Sequence, residues 1–370
     1  STVVSIDTHT AIFGYYGRFN GGLLSIISYI ILYYAFASNI VNVEKILKTI
    51  IVSSLFVILW AIPGHFEHDL TCLLFTGRFN NSCWDNTTLA FRPELRAFST
   101  LGQPNWLGAY LAVTFFIGVY FLLKNQISKI KDQNDRSNIK NFGWTNFFPS
   151  VYLFLNFSMI LFSRSRSAIF AVLIGLMLFI GYYLFFIKTN VKKIIVILLV
   201  VTIVPILLFK TGEDKIDKFL KFPITNNQSP NRSPITNNQL STTSTNVTES
   251  FDIRKIVWEG AWKLALKYPL FGTGVETFAY SYNFIRPIAH NLTSEWDYVY
   301  NKAHNEYFNY LATTGFVGLG AYLLLIITFI IFVVSRHRRD QNKLLTLSLF
   351  CSWLTILITN FFGFSTTTIQ

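Results

Sequence analysis

Long apolar runs, separated by shorter polar connections, dominate this chain. A helix needs about 20 apolar residues to cross a bilayer, and several runs approach that length. They lie at approximately 21–37, 46–62, 104–123, 147–162, 167–187, 193–209, 315–334 and 344–362. The pattern therefore predicts an all-α protein, a polytopic bundle of transmembrane helices.

Lysine and arginine are concentrated in every second connection between these runs: residues 45–48, 124–140, 188–193 and 336–343. Cytoplasmic loops of membrane proteins carry an excess of these residues, so the four connections are predicted to be cytoplasmic. The other connections are then extracytoplasmic: residues 1–20, 63–103, 163–167 and 210–303. Because the chain starts at Ser1 and shows no signal-peptide pattern, it is expected to begin inside a longer protein.

Composition agrees with a membrane protein and narrows its function. Hydrophobic residues make up 52% of the 370 residues, charged residues only 14%, and the mean hydropathy is +0.41. The formal net charge of +12 therefore resides mainly in the connections. No soluble module combines basic with aromatic residues, which argues against binding of nucleic acid.

The pattern divides the chain into three regions. Residues 1–209 are predicted to hold the N-terminal transmembrane helices, with an outer loop at 63–103. Residues 210–303 form a large extracytoplasmic loop. Residues 304–370 are predicted to form a helix that bears His304, followed by further transmembrane helices.

The large outer loop has two parts of different composition. Residues 222–248 are rich in Asn, Thr, Ser, Pro and Gln, which is typical of a disordered spacer. Residues 252–268 regain helical periodicity and carry Trp258 and Trp262 beside basic residues. This combination predicts a helix that lies in the membrane interface.

Cysteines on the outer side suggest a covalent link. Cys72 and Cys83 both lie in the outer loop, where they can form a disulfide or remain two free thiols. His65 and His68 precede Cys72, but a second close Cys/His pair at zinc spacing is missing. The chain also lacks an Asp-x-Asp motif, so neither a metal nor a cofactor is expected.

A polar head precedes the next-to-last apolar run. It reads His304-Asn305-Glu306-Tyr307, and Gly315 follows eleven positions after the histidine. Helical periodicity puts His304, Phe308, Leu311, Gly315 and Gly318 on one face, so a neighbouring helix could approach its glycines closely. The motif resembles that of the O-antigen ligase and O-antigen polymerase superfamily, bacterial membrane proteins that move sugar chains from a polyprenyl-diphosphate carrier.

Other stretches are similar to the same superfamily. They are Gly102-x-Pro104-Asn105 at the start of a run, the turn Ser163-Arg164-Ser-Arg166-Ser167, and Arg254-x3-Trp258 followed by Gly272-x-Gly274. The chain departs from some ligases at Trp258, where they have Leu.

Several of these residues also have a plain structural explanation. Asn105 can cap a helix, and Arg164 and Arg166 can extend to lipid headgroups. His304 can likewise cap a helix or lie in the interface.

The resemblance implies a membrane-embedded glycosyltransferase. His304 is the expected base or a ligand of the diphosphate, and Glu276 and Glu306 are second candidates for the base. Outward-facing arginines are expected to bind the diphosphate of the donor: Arg164, Arg166, Arg254, Arg96 and Arg286. The motif residues Asn105, Asn305 and Gly315 are expected to shape the site.

The same resemblance implies the partners and the location. The donor is a glycan on a polyprenyl diphosphate, and the acceptor is a lipid, a glycan or a protein. The expected location is the bacterial plasma membrane, with the active site on the outer face. Alternatives are a repeat-unit polymerase, a protein O-oligosaccharyltransferase and, from another class, a transporter of an anionic lipid-linked sugar, which would place charges mid-span.

Overall fold

The computed structural model describes most of the chain. The described residues are 1–17, 19–84, 92–131, 144–187, 191–209, 250–337, 340 and 342–364. The predicted spacer at 222–248 lies outside them. Regular structure in the described part is helical, without a β-strand.

The helices are numbered here in chain order. They are α1 Thr8–Phe13, α2 Leu23–Asn39, α3 Val43–His65, α4 Leu70–Thr76, α5 Pro104–Lys131, α6 Trp144–Phe162, α7 Arg166–Tyr182, α8 Val191–Leu208, α9 Ser250–Lys267, α10 Phe278–Tyr282, α11 Glu306–His337 and α12 Lys343–Phe361. Short 3₁₀ turns occur at Thr2–Val4, Ser99–Leu101 and Ile288–Leu292, and a π turn at Tyr183–Ile187 extends α7.

Each predicted apolar run coincides with one of these helices. Helices α3, α5, α7, α11 and α12 are long and apolar enough to cross a membrane. Helices α2, α6 and α8 contribute shorter apolar stretches. The prediction of an all-α, multi-pass membrane protein is therefore confirmed.

The described residues form two compact units. The first, called the histidine unit, comprises those within Ser1–Leu23, Gly212–His304 and Phe308–Leu319. The second, called the bundle unit, comprises those within Leu24–Thr211, Asn305–Tyr307 and Gly320–Gln370. The first residues of the chain, expected only to be an outer connection, are thus part of the histidine unit.

Helices of the bundle unit approach closely where one of them carries a glycine. A Cβ added at Gly108 of α5 would lie 2.5 Å from the Cβ of Ser165, at the start of α7. Gly175 of α7 is in turn covered by the ring of Phe116 from α5. Small residues are typical of such contacts between membrane helices, because they let the backbones pack closely.

A polar network joins three helices inside the bundle. The amide Nδ2 of Asn156 donates to Thr114 Oγ1 at 3.0 Å and to the hydroxyl of Tyr152 at 3.2 Å. That hydroxyl also lies 2.7 Å from Ser54 Oγ. All four side chains are buried. Hydrogen bonds between buried polar side chains stabilise helix association, since an unpaired polar group is costly in an apolar surrounding.

A disulfide closes part of the loop between α3 and α5 in the bundle unit. Cys72 at the start of α4 is bonded to Cys83, and their Cα atoms are 5.4 Å apart. The indole of the next residue, Trp84, donates to Asp69 Oδ2 at 3.0 Å. Asp69 also caps α4 by accepting hydrogen bonds from its first backbone N–H groups. The disulfide and these hydrogen bonds therefore attach the loop to the start of α4.

The histidine unit has its own small core. Helix α9 buries Ile253, Val257, Ala261 and Leu264, as its predicted periodicity requires. These side chains pack against residues from the rest of the unit: Phe278, Tyr282, Tyr300, Ala303 and Ala312. The core fixes the segments around His304 relative to α9.

Helix α11 is interrupted at Gly315. The glycine has φ 69° and ψ −171°, outside the helical region. Beyond the break, the N–H of Phe316 donates to the carbonyl of Pro269 at 2.8 Å, and that of Val317 to Leu270 at 3.3 Å. A loop thus satisfies the first donors of the second helical segment.

The same loop also bonds the segment before the break. The N–H groups of Thr273 and Gly274 donate to the carbonyls of Ala312 and Thr313 at 3.1 and 2.9 Å. From the other side, the N–H of Ile6 donates to the carbonyl of Thr273 at 2.9 Å. The N-terminal segment, the loop and the interrupted helix are therefore joined by backbone hydrogen bonds.

This arrangement corrects the prediction of one continuous helical face. His304 lies outside the helix, which begins at Glu306, so it shares no stripe with Phe308 and Gly318. The segment that packs against Gly315 is a loop and not a neighbouring helix. A Cβ added at Gly315 would lie 2.5 Å from the carbonyl carbon of Leu270 in that loop.

Gly272→Ala is expected to destabilise the histidine unit by about 2–5 kcal/mol, because it combines a left-handed backbone with crowding. Gly272 has φ 66°, and an added Cβ would lie 2.5 Å from the carbonyl oxygen of Thr313. Gly17→Ala is the matched control, since Gly17 has φ 83° but open space around it. Thermal unfolding in detergent measures the difference. Equal melting temperatures for the two variants would contradict the packing described here.

Candidate functional site

The backbone carbonyl and N–H of Ala303, the residue before His304, are both hydrogen-bonded to side chains. The indole of Trp258 donates to the carbonyl of Ala303 at 3.1 Å, and the N–H of Ala303 donates to Asn309 Oδ1 at 3.4 Å. The Trp258 ring also stacks on Phe308, with centroids 5.6 Å apart. Ala303 is fully buried, whereas His304 is half-buried. The turn therefore presents His304 from a fixed support.

His304 has a strained backbone. Its φ is +51°, in the left-handed region that residues with a Cβ rarely adopt. Arg164 (φ 49°) and Glu276 (φ 61°) share this property, as do Phe19, Glu67 and Ser99. Such conformations cost about 1–3 kcal/mol each and are found preferentially at functional sites.

Tyr300 links His304 to an acidic residue. Its ring makes an edge contact with the imidazole of His304, with centroids 5.4 Å apart. Its hydroxyl donates to Glu295 Oε2. Burial and then the Glu295 carboxylate raise the pKa of Tyr300, so it remains a neutral donor at physiological pH.

Arg254 lies one helical turn before Trp258 on α9 and is half-buried. Burial lowers the pKa of Arg254, whereas the nearby Tyr300 and Glu295 raise it. A guanidinium remains charged under these conditions. Tyr300 thus interacts with three groups of the histidine unit. It interacts electrostatically with Arg254, through a hydrogen bond with Glu295, and through its ring with His304.

Glu276 is engaged with a cation. Its Oε1 forms an ion pair with Lys302 Nζ at 2.7 Å, and both side chains are largely buried. The backbone of Gly21 packs directly against the carboxylate. The Glu276 carboxylate is thus already bound to Lys302 in a largely buried place, whereas His304 is only half-buried. The site therefore favours His304 over Glu276.

Arg286 is hydrogen-bonded to a neighbouring loop. Its Nη2 donates to the carbonyl of Trp296. Burial, and then the charge of Arg286, lower the pKa of His290, whose Nδ1 lies 2.6 Å from the Tyr282 hydroxyl. His290 is fully buried, so it is a neutral core residue. Arg286, predicted to bind diphosphate, stabilises this loop.

In the bundle unit, Arg96 adjoins the turn that carries Arg164. Its Nη2 donates to Asn105 Oδ1 at 3.1 Å, and its Nε lies 3.5 Å from the carbonyl of Ser163. The Asn105 side chain, for which the sequence suggested a role as a helix cap, thus accepts a hydrogen bond from Arg96. Arg164 and Arg166 are both exposed, and Arg166 begins α7.

Asn305 and Glu306 are buried at the start of α11. Burial at the start of α11 makes Glu306 less accessible to a substrate than the half-buried His304. Within the described ranges, no group of three or more His, Cys, Asp or Glu side chains is arranged to hold a metal ion.

Sequence reasoning missed the neighbours of His304. Tyr300, Asn309, Glu295 and Lys302 received no role, and Trp258 was noted only as a motif residue and as a sign of an interfacial helix. The contacts of Trp258 with Ala303 and of Lys302 with Glu276 span 45 and 26 positions, so sequence spacing gives no signal for them. The contacts of Tyr300 and Asn309 are short in sequence, but they involve a segment without helical structure, where periodicity gives no signal either. Only the indole of Trp258, on the same helical face as Arg254, offered a clue.

Comparison with models of protein families gives a match. Residues 151–323 match a family model described as O-antigen ligase. The matched region runs from α6 to the segment just beyond the break in α11, and includes Arg164, Arg254 and His304. No curated protein matches the chain.

Proposed function

We propose that this chain is a member of the O-antigen ligase superfamily, whose family model its residues 151–323 match, and that it transfers a glycan from a polyprenyl-diphosphate carrier to an acceptor hydroxyl. The diphosphate is a good leaving group. The protein must therefore bind the charge that develops on it and place and deprotonate the acceptor. Neither step requires a metal ion.

The arrangement around His304 carries the proposal. His304 sits half-buried on a strained turn, and the residues that support it, Trp258 and Tyr300, are associated with Arg254. We assign His304 as the base that takes the proton of the acceptor hydroxyl. Arg254 is assigned to the diphosphate, because a guanidinium matches phosphate oxygens with two parallel hydrogen bonds.

We also propose that Arg96 and Arg164 of the bundle unit bind phosphate. Asn105 and the Ser163 carbonyl hold Arg96 beside the turn that exposes Arg164. The left-handed backbone of Arg164 indicates a conformation kept for function rather than for stability. Arg166 and Arg286 take second place, since Arg286 is bonded to its own loop.

Purified protein mixed with a polyprenyl-diphosphate glycan and an acceptor tests the proposed reaction. Release of carrier diphosphate together with a glycosylated acceptor supports transfer. Movement of the intact carrier across a vesicle membrane without cleavage would instead support a transporter. Acceptors of different classes, a lipid, a repeat unit or a peptide, then separate ligase, polymerase and protein glycosylation.

One feature bears on the transporter alternative. Interrupted helices in transporters commonly expose backbone groups that bind substrate. In α11 the groups next to the break at Gly315 are bonded to the loop of Pro269 and Leu270. The break therefore serves to attach that loop, which favours an enzyme.

We further propose that the protein lies in the bacterial plasma membrane with His304 on the outer face, because the distribution of Lys and Arg predicts this orientation. A cysteine replacing the exposed Asn291 of the histidine unit should react with an impermeant thiol reagent in intact cells. A cysteine replacing Asn134, in a cytoplasmic connection outside the described residues, should react only after lysis. The reverse pattern would overturn this orientation.

A further inference from the structure

A buried ion pair connects the segment before His304 to a distant loop. Lys302 Nζ lies 2.7 Å from Glu276 Oε1, and the two side chains are only 11% and 6% exposed. Lys302 stands two positions before His304 and directly before the fully buried Ala303. Because Glu276 is 26 positions earlier in the sequence, the pair attaches the turn of His304 to the loop that carries Glu276.

Stability alone is a weak explanation for this ion pair. Two charges lose their hydration when they are buried, and their attraction often returns no more free energy than that loss costs. Apolar side chains of similar volume would often be equally stable in the same place. A hydrogen-bonded ion pair differs from an apolar contact in that it fixes a distance and a direction.

Strained backbone positions occur at one member of the pair and next to the other. Glu276 has φ 61° and His304 has φ 51°, both in the left-handed region. Such conformations persist only where the surrounding structure holds them. The hydrogen bonds of Ala303 are one restraint on the turn of His304, and the ion pair of Lys302 is a second.

The N-terminal segment packs against the Glu276 carboxylate. Gly21 has φ 80°, and a Cβ added there would overlap Oε1 of Glu276. The same segment is attached to the loop by the N–H of Ile6, which donates to the carbonyl of Thr273 at 2.9 Å. Glycine at position 21 thus leaves the carboxylate the room that it occupies beside Lys302.

We propose that Glu276 and Lys302 are positioning residues for His304. Their ion pair, kept in place by the backbone of Gly21, holds the imidazole where it can take the proton of the acceptor hydroxyl. Neither side chain contacts the substrate, and Glu276 is not the base. This inference rests on the proposed function, because it supports the role assigned there to His304.

Glu276→Gln and Lys302→Met each break the pair and should lower turnover to a similar extent, by roughly 10–100-fold. Donor affinity should remain within about threefold of the wild-type value, because the base acts on the acceptor. A base at Glu276 would give a different result: Glu276→Gln would be inactive while Lys302→Met kept most of its turnover. That result would overturn the proposal.

Replacing both residues by methionine separates positioning from stability. Each single change leaves one buried charge unpaired, whereas Glu276→Met combined with Lys302→Met leaves none. The melting temperature of the double variant should therefore return close to the wild-type value, while its turnover stays as low as that of the single variants. Recovery of turnover together with the melting temperature would show that the pair serves only stability, and would overturn the proposal.

A double-mutant cycle with His304→Ala tests whether the pair acts through the histidine. In the His304→Ala background, the two methionine replacements should lower turnover no further, since the ring that they misplace is already absent. A further loss of tenfold or more, of about the size seen in the wild-type background, would overturn the proposal.

Gly21→Ala tests the same contact without removing a charge. The added Cβ displaces the Glu276 carboxylate, so turnover should fall by roughly 3–30-fold. Gly17→Ala is the matched control, since Gly17 has a similar φ of 83° but open space around it. Equal turnover in the two variants would contradict the role of Gly21.

Glu259→Gln is the matched control for the ion pair. Glu259 is 2.7 Å from Lys263 on α9, but both side chains are exposed, so its turnover should stay within about twofold of the wild-type value. Turnover is measured as transfer of glycan from a polyprenyl diphosphate to an acceptor by purified protein in detergent. If the wild-type protein transfers none, the proposed function fails and this inference fails with it. If the wild-type protein is active and Glu276→Gln and Lys302→Met are equally fast, only the positioning role is overturned.

Discussion

Replacing His304 by alanine is expected to lower turnover by about 10²–10⁴-fold, the usual contribution of general acid–base catalysis. Donor affinity should stay within a few-fold of the wild-type value, because a base acts on the acceptor hydroxyl and not on the diphosphate. Initial rates at saturating donor, together with a separate binding titration, measure the two effects. His9→Ala is the control, since His9 is an exposed histidine of the same unit.

The contrary result is equally informative. If His304→Ala abolishes donor binding and the residual transfer keeps its pH dependence, His304 is a ligand of the diphosphate. The base must then be sought at Glu276 or Glu306. Both are less suited, because Glu276 is paired with Lys302 and Glu306 is buried in the first turn of α11.

The support of His304 explains why the loss should be specific to the side chain. Hydrogen bonds from Trp258 and to Asn309 hold Ala303 through its backbone, and neither involves the imidazole. The strained φ of His304 is thus imposed by its neighbours. Truncation to alanine removes the ring and its contact with Tyr300 while these hydrogen bonds remain.

Transmembrane helices could be predicted from the sequence because their signal is local. A run of about 20 apolar residues must satisfy its backbone hydrogen bonds internally, and a helix does this. The face that α9 buries was also predictable, since Ile253, Val257 and Leu264 follow helical periodicity. These features depend on residues only a few positions apart.

The break in α11 could not be predicted in the same way. Gly315 fits a helix as well as a break, and its neighbours are apolar. The break is determined by the loop that begins at Pro269, because carbonyls of this loop accept hydrogen bonds from the N–H groups of the second helical segment. Hydrogen bonds between segments so far apart leave no periodic pattern, although Gly272 and Gly274 marked the loop as unusual.

In the candidate site, too, the sequence identified some residues but not the contacts that they make in the folded chain. His304 and Arg254 were identifiable because they lie in short motifs with a resemblance to a known superfamily. The engagement of Glu276 by Lys302, and of Asn105 by Arg96, depends on the folded chain. The residue types alone allowed Glu276 to be a base and Asn105 a cap, and only their partners distinguish these roles.

Replacing Arg254 by alanine is expected to weaken binding of the donor diphosphate by roughly 10–100-fold, which corresponds to about 1.5–3 kcal/mol for hydrogen bonds to a charged group. Turnover should fall as well, because the charge on the diphosphate grows as the glycosidic bond breaks. Arg254→Lys should recover only part of both losses, since an ammonium cannot form two parallel hydrogen bonds.

Lys255→Ala is the matched control for Arg254→Ala. Lys255 is the next residue on α9, but it is exposed and paired with Asp252 at 2.7 Å, so its loss removes the same charge away from Tyr300. Donor affinity in this variant should remain near the wild-type value. If both alanine variants weaken binding equally, the attraction is a property of the net charge of the unit. Full recovery by Arg254→Lys would likewise exclude the paired hydrogen bonds and leave a simple electrostatic contact.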